Sequence, residues 1–71
     1  MDAYIKLKSG NDVLITDIKC IRRPDSQTGA IKETTDFANF TINRTVYTFV
    51  GNEIVVLPAS EIEYVKFNPT N

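Results

Sequence analysis

The stretch that decides the fold covers residues 41–67 and reads TINRTVYTFV (41–50), GN (51–52), EIVVLP (53–58) and ASEIEYVKF (59–67). Two runs rich in β-branched and aromatic residues flank the Gly51-Asn52 turn, and a third run follows the proline. Such runs, separated by turn residues, predict a meander of antiparallel strands. The stretch therefore predicts a β fold, but it contains no pattern that indicates a chemical activity.

The residues before this stretch supply three further strand-like runs. Residues 3–8 alternate, with Ile5 and Leu7 on one side. Residues 13–23 form a longer run whose apolar side switches near Asp17, which predicts a bulge or a sharp bend. A helix is the competing interpretation, but four of the first six residues are β-branched, which favours a strand. Residues 30–34 predict a short strand that pairs back onto this run across a loop at residues 24–29.

The remaining segments are predicted to contain turns, one last strand and a tail. Residues 35–40 form either one helical turn, with Phe37 and Phe40 on one side, or an extended segment. A tight turn is predicted at residues 58–61, followed by a last strand at residues 62–67. Residues 68–71 are predicted to be a frayed tail.

Five or six short strands predict an all-β domain over residues 1–67. A flat sheet in so short a chain would leave an apolar face in water, so we expect an antiparallel meander curled into a small barrel. The turn after Pro58 is similar to the short helical turn in SH3-like and Sm-like barrels, a resemblance in fold pattern that covers residues 46–67. The predicted core is Ile5, Leu7, Leu14, Ile18, Val46, Phe49, Ile54, Val56, Val65 and Phe67.

Size and composition limit the functions that the chain can perform. The chain has 71 residues, a net charge of −1, one cysteine and no histidine. These counts exclude an internal disulfide and make a conventional zinc site unexpected. A domain of this size buries only about 60% of its unfolded surface, so we expect good sheet closure or association with another chain. The absence of a basic excess argues against strong non-specific binding to nucleic acid.

Neither catalysis nor cofactor binding is predicted. Without histidine, acid–base chemistry would fall to carboxylates, tyrosine or lysine, and none of these lies in a recognisable motif. The three glycines each fall at a predicted turn, and there is no glycine-rich phosphate loop. Cys20 lies within an apolar run and is interpreted as a small buried hydrophobe, with a reactive thiol as the alternative. We therefore predict no enzyme activity, no cofactor, no metal and no small-molecule substrate.

Protein association is the function that the sequence favours. Tyr47, Val55 and Tyr64 are expected to point outward, and exposed apolar residues often mark an interface. Self-association, or incorporation into a larger assembly, would offset the small core. The alternative is that residues 37–40 pack over these side chains. The Ile-, Asn- and Thr-rich composition is common in AT-rich bacterial and phage genomes, so a phage or prophage assembly is one setting that we consider.

Nucleic-acid binding is the second functional hypothesis. Tyr4, Lys6 and Lys8 form an aromatic and basic row on one strand, which Lys19, Arg22 and Arg23 could extend. Single-strand binders combine stacking aromatic rings with cations that follow the backbone. The alternative is an ordinary solvated outer face. No apolar run has the length of a signal peptide or a membrane span, so we expect a soluble protein in the cytoplasm or in a phage particle.

Overall fold

A computed structural model describes residues 1–69 of the protein. Over these residues the chain forms seven strands and two short 3-10 turns, and it contains no α-helix. The strands are β1 (Asp2–Leu7), β2 (Asp12–Ile15), β3 (Cys20–Pro24), β4 (Ile31–Thr34), β5 (Val46–Val50), β6 (Ile54–Pro58) and β7 (Ile62–Asn68). The 3-10 turns are Phe37–Asn39 and Ala59–Glu61, so the predicted turn after Pro58 is confirmed.

The strands form two antiparallel sheets. One has the order β2-β1-β7 and the other has the order β4-β3-β5-β6. The all-β, antiparallel prediction is confirmed, and so is the pairing of β4 back onto β3. The strand count was wrong, because seven strands are present over residues 1–69 rather than five or six. Neither sheet closes on itself as a barrel would.

The additional strand arises at Asp17, where the sequence predicted a bend. β2 ends at Ile15 and β3 begins at Cys20, and Asp17 between them has a φ of 57°. This left-handed conformation is uncommon for a residue other than glycine, and it turns the backbone sharply. The backbone N–H of Asp17 donates to Asp2 Oδ1 at 3.1 Å. The bend is therefore strong enough to place the two halves of the run in different sheets.

The core lies between the inner faces of the two sheets. It confirms Ile5, Ile18 and Phe49 from the predicted set, while Leu7, Val65 and Phe67 are half-buried against it. Four predicted core residues are wrong, because Leu14, Val46, Ile54 and Val56 are exposed. The buried apolar residues are Ala3, Ile5, Ile15, Ile18, Cys20, Ile21, Tyr47, Phe49 and Ile62.

Strand alternation explains why these four residues are exposed. Val46 and Phe49 are three positions apart on β5, so they cannot share one face. Phe49 is buried and pairs with Val55, which places Val55 inward and its neighbours Ile54 and Val56 outward. Leu14 alternates in the same way with the buried Ile15. In a run of aliphatic residues the sequence does not show which residues face the core. The pairing with the partner strand determines this.

The segment before β5 covers one end of the core instead of extending the strand. The predicted strand at residues 41–50 is shorter, because β5 begins only at Val46. The Tyr47 hydroxyl accepts the Asn43 N–H at 2.7 Å and donates to the Thr41 carbonyl at 3.2 Å. These bonds fold residues 41–45 back onto β5. Phe40 lies edge-on to Tyr47, with the ring centroids 5.2 Å apart.

The β5–β6 turn joins the two sheets. The Asn52 N–H donates to the Thr16 carbonyl at 3.0 Å, and Asn52 Oδ1 accepts the Thr16 N–H at 3.0 Å. A Cβ atom on Gly51 would lie 2.6 Å from Ile15 Cγ2 and 2.8 Å from the Thr16 carbonyl oxygen. Only glycine allows this close approach. The turn therefore packs directly against the bend that separates β2 from β3.

Strand β7 completes the three-stranded sheet by pairing with β1. Asp2 pairs with Asn68, so the pairing includes the first residue of the predicted frayed tail. Residues 70–71 of that tail lie outside the described residues. Opposite Lys6 and Leu7, β7 carries one extra residue, Glu63, which forms a bulge.

Candidate functional site

The three residues predicted to form a protein interface do not lie on one surface. Tyr47 was expected to point outward, and this is wrong, because its side chain is 1% exposed and forms part of the core. Its hydroxyl is satisfied by the backbone of residues 41 and 43, which allows a tyrosine to be buried. Val55 is half-buried and packs against the same core. Tyr64 is exposed, but it lies on the other sheet.

An exposed apolar surface lies on the outer side of β5 and β6. Cross-strand partners point to the same side of a sheet, so three pairs define this surface. Its most exposed members are Ile54 at 68%, Val56 at 59% and Val46 at 45%. We call it the aliphatic face, and it consists of the pairs Val46–Pro58, Thr48–Val56 and Val50–Ile54. No member of this face carries a charge.

An open groove continues the aliphatic face beyond Val46 and Pro58. Its volume is about 710 Å³, and Ile42 adds an aliphatic side chain that is 39% exposed. Lys8 and Arg44 also line the groove and place two positive charges beside the apolar surface. This distribution, an apolar centre with charged residues at the side, is typical of protein interfaces.

The outer side of the three-stranded sheet has a different composition. Tyr4 pairs with Leu14 on one side and with Lys66 on the other, while Lys6 pairs with Asp12 and Tyr64. These partners share one face, which we call the tyrosine–lysine face: Tyr4, Lys6, Asp12, Leu14, Tyr64 and Lys66. Two tyrosines and two lysines therefore lie together on one exposed sheet surface.

Contacts within the tyrosine–lysine face hold Tyr4 in place. The Tyr4 and Tyr64 ring centroids are 6.2 Å apart, and Lys66 Nζ lies 5.5 Å from the centre of the Tyr4 ring. The Tyr4 hydroxyl donates to Asp12 Oδ2 at 2.8 Å, and this hydrogen bond raises the pKa of Tyr4. Lys6 Nζ donates to the Gly10 carbonyl at 3.0 Å.

The other residues predicted for a nucleic-acid surface lie elsewhere. Lys8 follows β1 and lines the groove beside the aliphatic face, and Lys19 is exposed in the bend before β3. Arg22 and Arg23 alternate on opposite sides of β3. Arg22 Nε donates to Glu33 Oε2 at 2.9 Å on the outer side, whereas Arg23 lines a cavity on the inner side. Only Tyr4 and Lys6 of the predicted set therefore share one face.

Several residues of these surfaces were absent from the predicted sites. Lys66 and Leu14 join Tyr4 only through strand pairing, which requires the β1–β2 and β1–β7 registers. Val46, Ile54 and Val56 were assigned to the core and instead form half of the aliphatic face. Part of this error could have been recognised from the sequence. Val46 and Phe49 were both assigned to the core, but they lie on opposite sides of any regular strand.

Cys20 has the environment of a packing residue. It is buried, and this burial raises the pKa of its thiol, with the nearby Glu33 carboxylate raising it further. A raised pKa lowers the fraction of the nucleophilic thiolate at neutral pH. The geometry therefore gives no activation of this thiol.

Residues 1–69 contain neither a membrane-spanning helix nor a metal-binding cluster. No helix in this range is long and apolar enough to cross a membrane. The same range contains no group of three or more histidine, cysteine, aspartate or glutamate residues that could hold a metal ion. No protein-family model matches the chain, and no curated protein or solved structure matches it.

Proposed function

We propose that this protein is a non-enzymatic association module and that its partner is a second copy of the same chain. The observation that carries this proposal is the uncharged aliphatic face on β5 and β6, whose Ile54 and Val56 are more than half exposed. Small soluble proteins rarely leave a contiguous apolar surface of this kind in water without a use for it. Association through this face would also support a domain whose own core is small.

The absence of charge favours a second copy as the partner. In a two-fold symmetric dimer each patch meets itself, so any charge at its centre would face the same charge. No member of the aliphatic face is charged, and the Arg22–Glu33 ion pair beside Thr48 would lie at the edge of the interface. The β-branched residues of the face can interdigitate when two sheets pack face to face. In this arrangement Lys8 and Arg44 would lie near the rim and remain hydrated.

The proposed role sets the area that the interface must bury. A stable interface buries about 800 Å² on each partner, which is about a sixth of the 4743 Å² surface of this chain. The aliphatic face together with the adjoining groove extends from Ile54 to Ile42. Buried area alone does not determine affinity, because association also costs rotational and side-chain entropy.

Solution mass would test the proposal directly. We expect light scattering after size exclusion to give a multiple of 8.0 kDa that persists at high salt. Val56→Lys should convert the protein to a monomer. Leu14→Lys is the matched control, because Leu14 is 56% exposed on the outer face of the other sheet and Val56 is 59% exposed. A monomer at every concentration, or equal effects of both variants, would contradict the proposal.

Binding of single-stranded nucleic acid is a second candidate function. It is supported by the tyrosine–lysine face, where Tyr64 and Lys66 add a second ring and a second nearby cation to Tyr4 and Lys6. A single strand could stack bases on the rings while the lysines contact phosphates. The overall charge of −1 limits the strength of such binding.

A titration with oligothymidylate at low salt would test this second function. We expect Lys6→Glu with Lys66→Glu to abolish binding, because both changes place a negative charge beside the phosphates. Lys8→Glu with Lys19→Glu makes the same charge change away from this face, beside the groove and in the β2–β3 bend, and should reduce the affinity less. Affinity that does not fall with increasing salt would exclude this mode of binding.

The proposed architecture is a small, incompletely closed barrel of the SH3-like or Sm-like type. It is supported by the single core that both sheets share and by the hydrogen bonds between Thr16 and Asn52 that join them. We place the module in the cytoplasm or in a phage particle, a proposal that rests on composition.

A further inference from the structure

A cavity lies on the inner side of the β3–β4 hairpin, under the segment that leads into β5. Its volume is about 210 Å³, and it is partly open to solvent. Arg23 and Lys32 line it from the hairpin, while Phe40, Asn43 and Tyr47 line it from the other side. The cavity is separate from the aliphatic face, which lies on the outer side of the same sheet.

Two positive charges face each other across this hairpin. Arg23 and Lys32 are direct cross-strand partners in the β3–β4 register. Like charges in directly opposed positions destabilise a sheet unless a counter-charge lies between or beside them. Among residues 1–69 the Arg23 guanidinium makes no ion pair within 4 Å, and it is half-buried. The pairing therefore leaves positive charge at the cavity wall.

The carboxylates near this pair are largely engaged elsewhere. Asp25 Oδ2 lies 4.0 Å from Lys32 Nζ, but the Asp25 carboxylate also accepts the Gln27 N–H and the Thr28 hydroxyl. Glu33 also lines the cavity, and its carboxylate accepts the Arg22 guanidinium at 2.9 Å. The Asp25 carboxylate is thus the one counter-charge within residues 1–69 that Arg23 and Lys32 share.

We propose that this cavity binds a small ligand that carries a phosphate or carboxylate group on a single aromatic ring. An arginine guanidinium recognises an oxyanion through two parallel hydrogen bonds, and Lys32 adds a second charge. Phe40 is half-buried and lies edge-on to Tyr47, so it offers an apolar wall for a ring. Asn43 and Thr34 are polar residues of the cavity lining.

The cavity volume limits the size of the ligand. Pockets for drug-sized molecules begin at about 300 Å³, and this cavity is smaller. A single ring with one acidic group fits this limit better than a dinucleotide or a longer chain. This inference does not depend on self-association, because Arg23, Lys32 and Phe40 belong neither to the aliphatic face nor to the groove beside it, and Asn43 alone lines both the cavity and the groove.

The first experiment is an NMR titration of the full chain at low salt. The probes are phenyl phosphate, benzoate and inorganic phosphate, each taken into the millimolar range. We expect saturable shifts of the Arg23 side-chain N–H and of the Asn43 and Phe40 amides. The stronger of the two ring-bearing probes identifies the acidic group as phosphate or carboxylate. If no probe gives saturable shifts, or if inorganic phosphate binds as tightly as both ring-bearing probes, the proposal is wrong.

A pair of neighbouring variants makes this test specific. Arg23→Gln should weaken binding by at least about tenfold, because it removes the charge-assisted contact inside the cavity. Arg22→Gln removes the same charge one residue away, on the opposite side of β3, and is combined with Glu33→Gln because the freed Glu33 carboxylate would otherwise lie at the cavity wall. This control should change the affinity by less than about twofold. Lys32→Gln gives an independent reading if Arg23→Gln fails to fold, and it should also weaken binding. Equal effects of the two arginine variants would overturn the proposal.

Discussion

The three-stranded and the four-stranded sheet contribute similar residues to one core, but their outer faces differ. The three-stranded sheet exposes two tyrosines and two lysines, with Leu14 and Asp12 beside them. The β5–β6 half of the four-stranded sheet exposes aliphatic residues and a threonine, without any charge. Both faces are exposed to solvent in the isolated chain. Only the aliphatic face has no charged side chains that water would solvate favourably.

This difference separates two roles that apolar residues have in so small a domain. The inner face stabilises the fold, whereas the aliphatic face contributes little to the isolated chain and is the surface that we propose for self-association.

The strongest test compares the two sides of β5 and β6. Phe49→Ala should cost about 3–5 kcal/mol, because it leaves a cavity in the buried core. Since small domains have only about 5–15 kcal/mol of stability, this variant should be largely unfolded in mild denaturant. Val56→Ala, on the outer side, should change the stability of the monomer by about 0.5 kcal/mol or less. Urea titrations of both variants measure the difference, and similar losses would contradict the assignment of faces.

The junction between the sheets gives the second test. Gly51→Ala should cost about 1–3 kcal/mol, because its Cβ would clash with Ile15 and with the Thr16 carbonyl. Gly29 has a φ of 74° but no atom within 4 Å of the position of its Cβ, so Gly29→Ala tests backbone strain alone. We expect Gly29→Ala to cost about 1 kcal/mol. Thermal unfolding of both variants checks the order, and a larger loss for Gly29→Ala would show that the junction is not tightly packed.

The third test compares two tyrosines, one on each sheet. Tyr47→Phe removes a buried hydroxyl and leaves the Asn43 N–H without this acceptor, so we expect a loss of about 1–2 kcal/mol. Tyr64→Phe removes an exposed hydroxyl and should change stability by about 0.5 kcal/mol or less. Chemical denaturation gives both values. Equal values would mean that the Tyr47 hydrogen bonds do not hold residues 41–45.

The smallest expected effect concerns the charged half of the four-stranded sheet. The hydrogen bond from Arg22 lowers the pKa of Glu33 below its ordinary value of 4.5, with a further contribution from Cys20. A carboxyl whose pKa is lowered by folding stabilises the protein above its ordinary pKa, and this contribution is lost as the pH falls through the folded value. The stability difference between the wild type and Glu33→Gln should therefore decrease as the pH falls below 4.5.

Thermal melts over a pH series would measure this effect, and Arg22→Gln completes a double-mutant cycle. The coupling between the two positions should disappear in acid. A coupling that is constant from neutral pH to acid would contradict the role of the ion pair.

The sequence predicted the features that depend on local pattern. Alternation identified β1, and turn residues located the β5–β6 connection and the turn at Ala59–Glu61. The switch of apolar side at Asp17 gave the position of the bend, but not its sharpness, because the left-handed conformation there depends on contacts with residues far along the chain.

The features that were missed depend on pairing between distant segments. The four aliphatic residues of β6 have the same local pattern in either orientation, and only the partner Phe49 fixes which ones face outward. The burial of Tyr47 depends on the path of residues 41–45. The opposition of Arg23 and Lys32 required the exact β3–β4 register, which the prediction of a pairing did not include.

The pairing of β1 with β7 has a consequence for folding during synthesis on the ribosome. Ile5 pairs with Val65, so partners in this sheet are separated by about 60 residues, and closing so long a loop slows folding. Translation proceeds at about 5–20 residues per second, so several seconds pass between the synthesis of β1 and the synthesis of β7. During that interval the inner side of β1 lacks its final neighbour. The three-stranded sheet can therefore be completed only after β7 has been synthesised, and chaperones could bind β1 before that point.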